Sequence, residues 1–256
     1  MQKESSMAWK AKAHYLKRLL DSALNNIGCC DLCAADVHSS YLLAQPLQQS
    51  LICQFCVDDL PYFKQELLCG NLLNWPAVYK ALPNIHFDKL FALAPYSYPF
   101  DTWLAQFKYS GRFELANLFS TLLSAQWQSS LMAQSHFDLV LSVPLHSKKW
   151  QLRGYNQAHL IAQNFAKQLS LPYDADLLIR IKNNDSQMGK TGAQRRKNLL
   201  NNFALKQDIS SKVKHVLLID DVVTTGTTAS EISKLLKQAG VETVTLVTVC
   251  LSLPNK

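Results

Sequence analysis

Glycine and proline are scarce in this 256-residue chain, at eight and nine residues, which excludes a collagen-like or low-complexity architecture. No apolar run approaches the ~18 residues of a membrane-crossing helix. The N-terminus, MQKESSMAWKAKAHYLKRLL, lacks the continuous apolar stretch and small-residue cleavage site of a secretory signal, so a cytoplasmic protein is expected. No internal repeat is evident. With 48% hydrophobic and 18% charged residues, the chain is long and apolar enough to bury a sizeable core. Acidic residues are outnumbered by basic ones, 19 to 26, and the net charge of +7 favours anionic partners such as phosphates or nucleic acid. Much of the excess falls in residues 182–214, where eight basic side chains face only Asp185 and Asp208.

Without an export signal, seven cysteines do not describe a disulfide framework, and metal ligation is the leading reading. Six of them lie from Cys29 to Cys69. Cys30-x-x-Cys33 and Cys53-x-x-Cys56, with nineteen residues between, have the spacing of two knuckles closing on one tetrahedral zinc. Four thiolates leave no open position on the ion, so the site is expected to be structural. Cys29 is an alternative to Cys30, Cys69 is unassigned, and His38 reads as a surface residue.

Three regions follow: an amphipathic N-terminal helix in 1–28, a zinc-finger-like region in 29–85, and an α/β domain in 86–256. Short apolar runs at 90–96, 138–143, 177–181, 215–219 and 243–250 alternate with helical periodicity, as in a mostly parallel sheet flanked by helices. Helices are expected over 113–127, 155–169 and 227–239, the last stopped by Gly240. Residues 182–202 are polar and fit neither period. They read as a long functional loop carrying Lys190, Arg195 and Arg196, with a short helix over 193–199.

The most informative stretch is LLIDDVVTTGTTA. A buried strand ends at Asp220 and Asp221. Val222, Val223, Thr224, Thr225, Gly226, Thr227 and Thr228 then lead directly into an amphipathic helix. Gly226 lets backbone approach a ligand, the helix start offers amide donors and the positive end of its dipole, and the threonines add hydroxyls. The carboxylates on the rim are suited to sugar hydroxyls or to a hydrated magnesium. Together these describe a sugar phosphate site. Threonines also cap helices for purely structural reasons, but the preceding acid pair argues for a ligand. An ATPase is disfavoured: Gly189-Lys190-Thr191 has Asn184 where a P-loop requires glycine.

LLIDDVVTTGTTA resembles the phosphoribosyl pyrophosphate (PRPP) signature of type I phosphoribosyltransferases. With the two cysteine pairs in front, FKYSGR at 107–112, VPLHSKKWQLRGYNQ at 143–157 and AQRRKNLLNNF at 193–203, the chain from about Cys30 onward is similar to the ComF/GntX family of competence-associated proteins. The resemblance implies that 86–256 is a type I phosphoribosyltransferase-like domain. It implies that Asp220 and Asp221 meet the ribose hydroxyls as the catalytic pair, and that 222–228 binds the rest of PRPP with the threonines around the 5′ phosphate. It implies that the segment 143–153 faces pyrophosphate, and Lys148, Lys149, Arg153 and the backbone of Gly154 suit a highly charged leaving group. The resemblance further implies that Lys190, Arg195 and Arg196 belong to a mobile loop over the site. Lys108 and Arg112 come with the resemblance and have no role beyond attracting anions.

The chemistry implied is magnesium-dependent displacement of pyrophosphate by an unidentified acceptor. Glutamine-dependent amidotransfer is not expected, because it needs an N-terminal cysteine nucleophile and this chain begins MQKESS. The alternative is a non-catalytic adaptor of the DNA-uptake machinery with a sensory or vestigial PRPP pocket. It would contact single-stranded DNA and competence proteins through the basic loop, the zinc region and aromatics such as Trp150, Tyr155 and Phe203. A PRPP-sensing regulator would need a helix-turn-helix, and the first 90 residues show none.

Overall fold

A computed structural model of the chain describes residues 29–35, 37, 51–82, 84–181 and 202–252. The expected N-terminal helix, His38 and the segment holding Lys190, Arg195 and Arg196 lie outside these residues.

The strands are β1 (Lys89–Pro95), β2 (Leu139–Ser142), β3 (Leu178–Arg180), β4 (Phe203–Leu205), β5 (His215–Val223) and β6 (Thr243–Leu251). The helices are α1 (Gln54–Asp58), α2 (Pro76–Ala81), α3 (Phe100–Tyr109), α4 (Leu115–Ser129), α5 (Ser147–Arg153), α6 (Gln157–Leu169) and α7 (Thr227–Gln238). Four strands form a parallel sheet in the order β1-β6-β5-β2. This is the mostly parallel sheet flanked by helices that the sequence pattern predicts.

Strands buried on both faces read as unbroken apolar runs, and KLFALAP and HVLLI are of that kind. Successive side chains alternate between two cores. Phe91, Leu93, Leu217, Ile219, Val247 and Val249 pack with residues of α3, α4 and α6, whereas Leu90, Ala92, Val216, Leu218, Val244 and Leu246 pack with α2 and α7. The first core also takes in Cys30, Leu51, Ile52, Cys53, Val57 and Leu60, so the cysteine region shares apolar packing with the sheet. The α7 helix ends where Gly240 takes φ 99°, with Gly240 N–H on the Lys237 carbonyl and Val241 N–H on that of Leu236.

Two expectations need adjustment. The apolar run at 177–181 does not join the parallel sheet; β3 pairs antiparallel with β4, a three-residue strand that sequence period alone does not reveal. The β5 strand also runs through the acid pair instead of ending at it. Strand β6 is long enough to supply partners, Thr248 opposite Asp220 and Cys250 opposite Val222. Among the described residues no helix is long and apolar enough to cross a membrane.

Candidate phosphoribosyl site and cysteine knuckle

Because the four strands of the main sheet are parallel, their carboxyl ends gather along one edge, where α/β folds place their ligand crevices. Here that edge opens into a cleft of about 360 Å³. One wall is Asp220, Asp221 and Val222 of β5, followed by Thr224 and Thr228. The facing wall is Val143, Pro144, Leu145, Lys149 and Arg153, closed by Asn156, Gln157 and Ala158 at the start of α6. Tyr96, Lys108 and Arg180 complete the lining.

The acid pair is asymmetric. Asp221 Oδ2 lies 2.9 Å from Lys108 Nζ, both side chains being mostly buried. Asp220 Oδ1 accepts from the Asp221 N–H at 2.8 Å, and Asp221 Oδ1 accepts from the Val222 N–H at 2.7 Å. Burial, and then the charge of Asp221, pushes the Asp220 carboxyl up to about 8. Burial therefore disfavours a second negative charge beside Asp221, whose carboxylate pairs with Lys108. Such a pair can both donate to and accept from sugar hydroxyls. With Asp221 paired to Lys108 and burial disfavouring charge on Asp220, the pair is a poor site for a magnesium ion held by the protein alone.

The turn after β5 has the build its composition suggests. Gly226 is the N-cap of α7 with φ 68°, and a Cβ there would stand 3.4 Å from Leu82 and 3.5 Å from Phe87. Thr225 and Thr227 bond each other through their hydroxyls at 2.9 Å and point to solvent; Thr224 and Thr228 face the cleft. Val223 is buried in the core beneath the turn. Behind it, Ser230 of α7 bonds His86 and the Asn84 carbonyl, anchoring the helix start.

Of the residues assigned to pyrophosphate, Lys149 and Arg153 line the cleft, while Gly154 is exposed outside its lining. Lys148 sits on α5, at a position whose side chain is not among those described. Sequence reading missed Tyr96, Asn156, Gln157 and Arg180. Asn156 was findable as an N-cap. Its side chain accepts from Ala158 N–H and donates to the Val143 carbonyl, tying α6 to the end of β2. Arg180 reaches the cleft from β3 with its guanidinium 5.2 Å from the Phe203 ring, so Phe203 packs at the cleft's margin.

The segment 107–112, which had no physical role, connects three parts of the molecule. Lys108 meets Asp221. The Tyr109 hydroxyl accepts from Arg153 Nη2 at 3.4 Å, and its ring lies 5.2 Å from that guanidinium. Arg112 reaches Asp31 at 2.7 Å, inside the first cysteine knuckle, and also bonds Glu114 and Gln106. In return the Tyr155 hydroxyl donates to the Phe107 carbonyl.

The sulfurs of Cys30, Cys33, Cys53 and Cys56 all lie within 4.8 Å of one another. Four thiolates about 2.3 Å from one zinc fit that grouping. Cys29 is not among them, and Cys69 occupies an exposed left-handed turn elsewhere. The Ala34 N–H bonds the Cys30 carbonyl to close the first knuckle, and Cys53 is the N-cap of α1, which carries Cys56 in its first turn. Burial opposes the Cys30 thiolate, yet backbone N–H groups of Cys53, Cys33 and Leu32 outweigh it and bring the thiol down to about 6. Burial and the neighbouring thiols push Cys56 the other way, as expected of crowded sulfurs that a cation would relieve.

Comparison with known proteins identifies the domain and its relatives. The phosphoribosyl transferase domain family matches residues 156–255. Competence protein F of Haemophilus influenzae is 33% identical over 196 residues, covering 75% of this chain and 81% of that protein. DNA utilization protein YhgH of Salmonella typhimurium is 30% identical over 236 residues, covering 90% of this chain and 93% of that protein. A solved glutamine PRPP amidotransferase from B. subtilis is 18% identical, with a TM-score of 0.39 over 56% of this chain and 30% of that one, too loose a likeness to carry an argument. With competence protein F 33% identical and matched over 81% of its length, and YhgH over 93%, the chain belongs to the ComF family of competence protein F and YhgH.

Proposed function

We propose that this protein binds PRPP in the cleft at the carboxyl edge of its sheet, and that it serves the uptake or use of external DNA, as the names of its relatives indicate. The observation that carries the reading is that Asp220, Asp221, Thr224 and Thr228 open on the same cleft as Lys149 and Arg153. The acid pair suits the ribose hydroxyls, the start of α7 with Thr224 and Thr228 suits the 5′ phosphate, and the basic wall suits the diphosphate. Lys108 and Asp221, paired with each other, both line this cleft. Magnesium accompanying PRPP would supply charge neutralisation, and Asp220 and Asp221 are the residues that would hold it through water.

The chemistry such a cleft supports is displacement at the anomeric carbon. An acceptor nucleophile forms its bond to that carbon as the carbon–oxygen bond to pyrophosphate breaks, and the electron pair leaves with the diphosphate. The protein's part is to hold the two reactants in line and to stabilise charge on the leaving group through Lys149 and Arg153. The knuckle would hold a structural zinc, whose four thiolates leave no open position for the reaction. Calorimetric titration with PRPP and magnesium tests the binding reading, and absence of binding at millimolar ligand overturns it. Release of pyrophosphate on adding a nucleobase or amine, followed separately, tests the transfer.

A further inference from the structure

Two polar side chains with unanswered atoms meet at one end of the cleft. Gln157 is 1% exposed and lines the cleft, and its Nε2 has no acceptor among the described residues. The same holds for the neighbouring Arg153 Nε. The orientation of the Gln157 amide is set by chemistry. Its Oε1 accepts from Arg153 Nη1 at 3.1 Å, and because a guanidinium has only donors, the flipped amide would set donors against donors. Tyr109 receives Arg153 Nη2, so two of the guanidinium nitrogens are held and the third is left over.

Both unanswered atoms are N–H donors, and buried donors without partners call for an explanation. Lys149 lines the same wall, and Gln157 opens α6, a 13-residue helix whose amino end favours negative charge. The two unanswered atoms, Lys149 and the helix start all offer protons or positive charge, so the occupant they fit is an anion that accepts from them. A neutral amide tolerates an empty cleft better than a second buried cation would.

Resting on the PRPP reading above, we infer that Gln157 is a specificity-determining residue: its Nε2 donates to a diphosphate oxygen beside Arg153 and so distinguishes PRPP from ribose 5-phosphate. The acid pair and the threonine turn hold what the two ligands share. Gln157 holds what only one of them has.

The test is calorimetric binding of three probes, PRPP, ribose 5-phosphate and inorganic pyrophosphate, to the full chain and to its Gln157→Leu and Gln157→Glu variants. Thermal unfolding of each protein is followed alongside. Gln157→Leu is expected to lose about tenfold or more in affinity for PRPP and pyrophosphate and to bind ribose 5-phosphate as before. Gln157→Glu keeps the shape, pairs with Arg153 and turns a donor into a negative acceptor, so its loss for the same two probes is larger. Equal losses for all three probes, or none, overturn the inference. A wild-type protein that binds ribose 5-phosphate as tightly as PRPP overturns it while leaving a phosphopentose cleft in place; one that binds none of the three overturns both readings. Should Gln157→Leu fail to fold, the near-isosteric Gln157→Glu decides by the same comparison.

Discussion

Lys108 Nζ stands 2.9 Å from Asp221 Oδ2, joining the end of α3 to the carboxyl end of β5 across 113 residues of sequence. Both partners are mostly buried, so removing one strands the other's charge. Lys108→Met is expected to lower stability by about 1–3 kcal/mol in chemical denaturation, and adding Asp221→Asn to recover part of that loss. A double variant whose loss is the sum of the two single ones would show the pair to be energetically idle.

The raised Asp220 carboxyl makes stability depend on pH. Its value near 8 in the folded protein lies above that of the unfolded chain, so between those values the native state binds the extra proton. Stability contributed by the protonated form is present in acid and is lost as pH rises toward 8. Asp220→Asn cannot ionise, so its stability relative to wild type should grow from pH 5 to pH 8 and then level off. Denaturation curves at several pH values check this, and a constant difference contradicts it.

Gly226 holds a left-handed conformation with Leu82 and Phe87 against the place a Cβ would take. Gly226→Ala should cost about 1–2 kcal/mol from backbone strain and crowding, and should weaken PRPP binding by displacing the start of α7. Denaturation and titration of one preparation measure both effects.

Metal analysis should find about one zinc per chain, lost on Cys30→Ser or Cys56→Ser and retained on Cys29→Ser or Cys69→Ser. Arg112→Gln removes the bridge to Asp31 and should speed zinc release to a chelator, with the metal content before chelation unchanged. Metal-free protein of undiminished stability would refute the cysteine assignment.

Much of the site can be read from local sequence because its central parts are local. A strand, two acids, a threonine-rich turn and a helix start occupy fourteen consecutive residues, 216–229, and each cysteine pair spans one tight turn. Fold class followed from apolar runs such as 215–219, which a strand buried on both faces requires. What escaped depends on distant segments meeting. Nothing around Lys108 names Asp221 as its partner, and the same is true of Tyr109 with Arg153 and Arg112 with Asp31. Gln157 reads as an ordinary helix residue until its burial and its unanswered amide are seen. The extent of β5 was missed because acids disfavour strands locally, whereas the length of β6 supplies partners that keep the ladder going past Asp220.

The claim on which the account turns is that the carboxylates of β5 and the threonine turn grip one phosphorylated pentose. Its most direct measurement is PRPP affinity, with magnesium, of the wild type against the Asp220→Asn, Asp221→Asn double variant, both shown to be folded. The account predicts binding by the wild type and a loss of about 100-fold or more in the variant, the effect of several hydrogen bonds to the ribose hydroxyls. Equal affinity in the two proteins would mean that the carboxylates do not touch the ligand, and would contradict it.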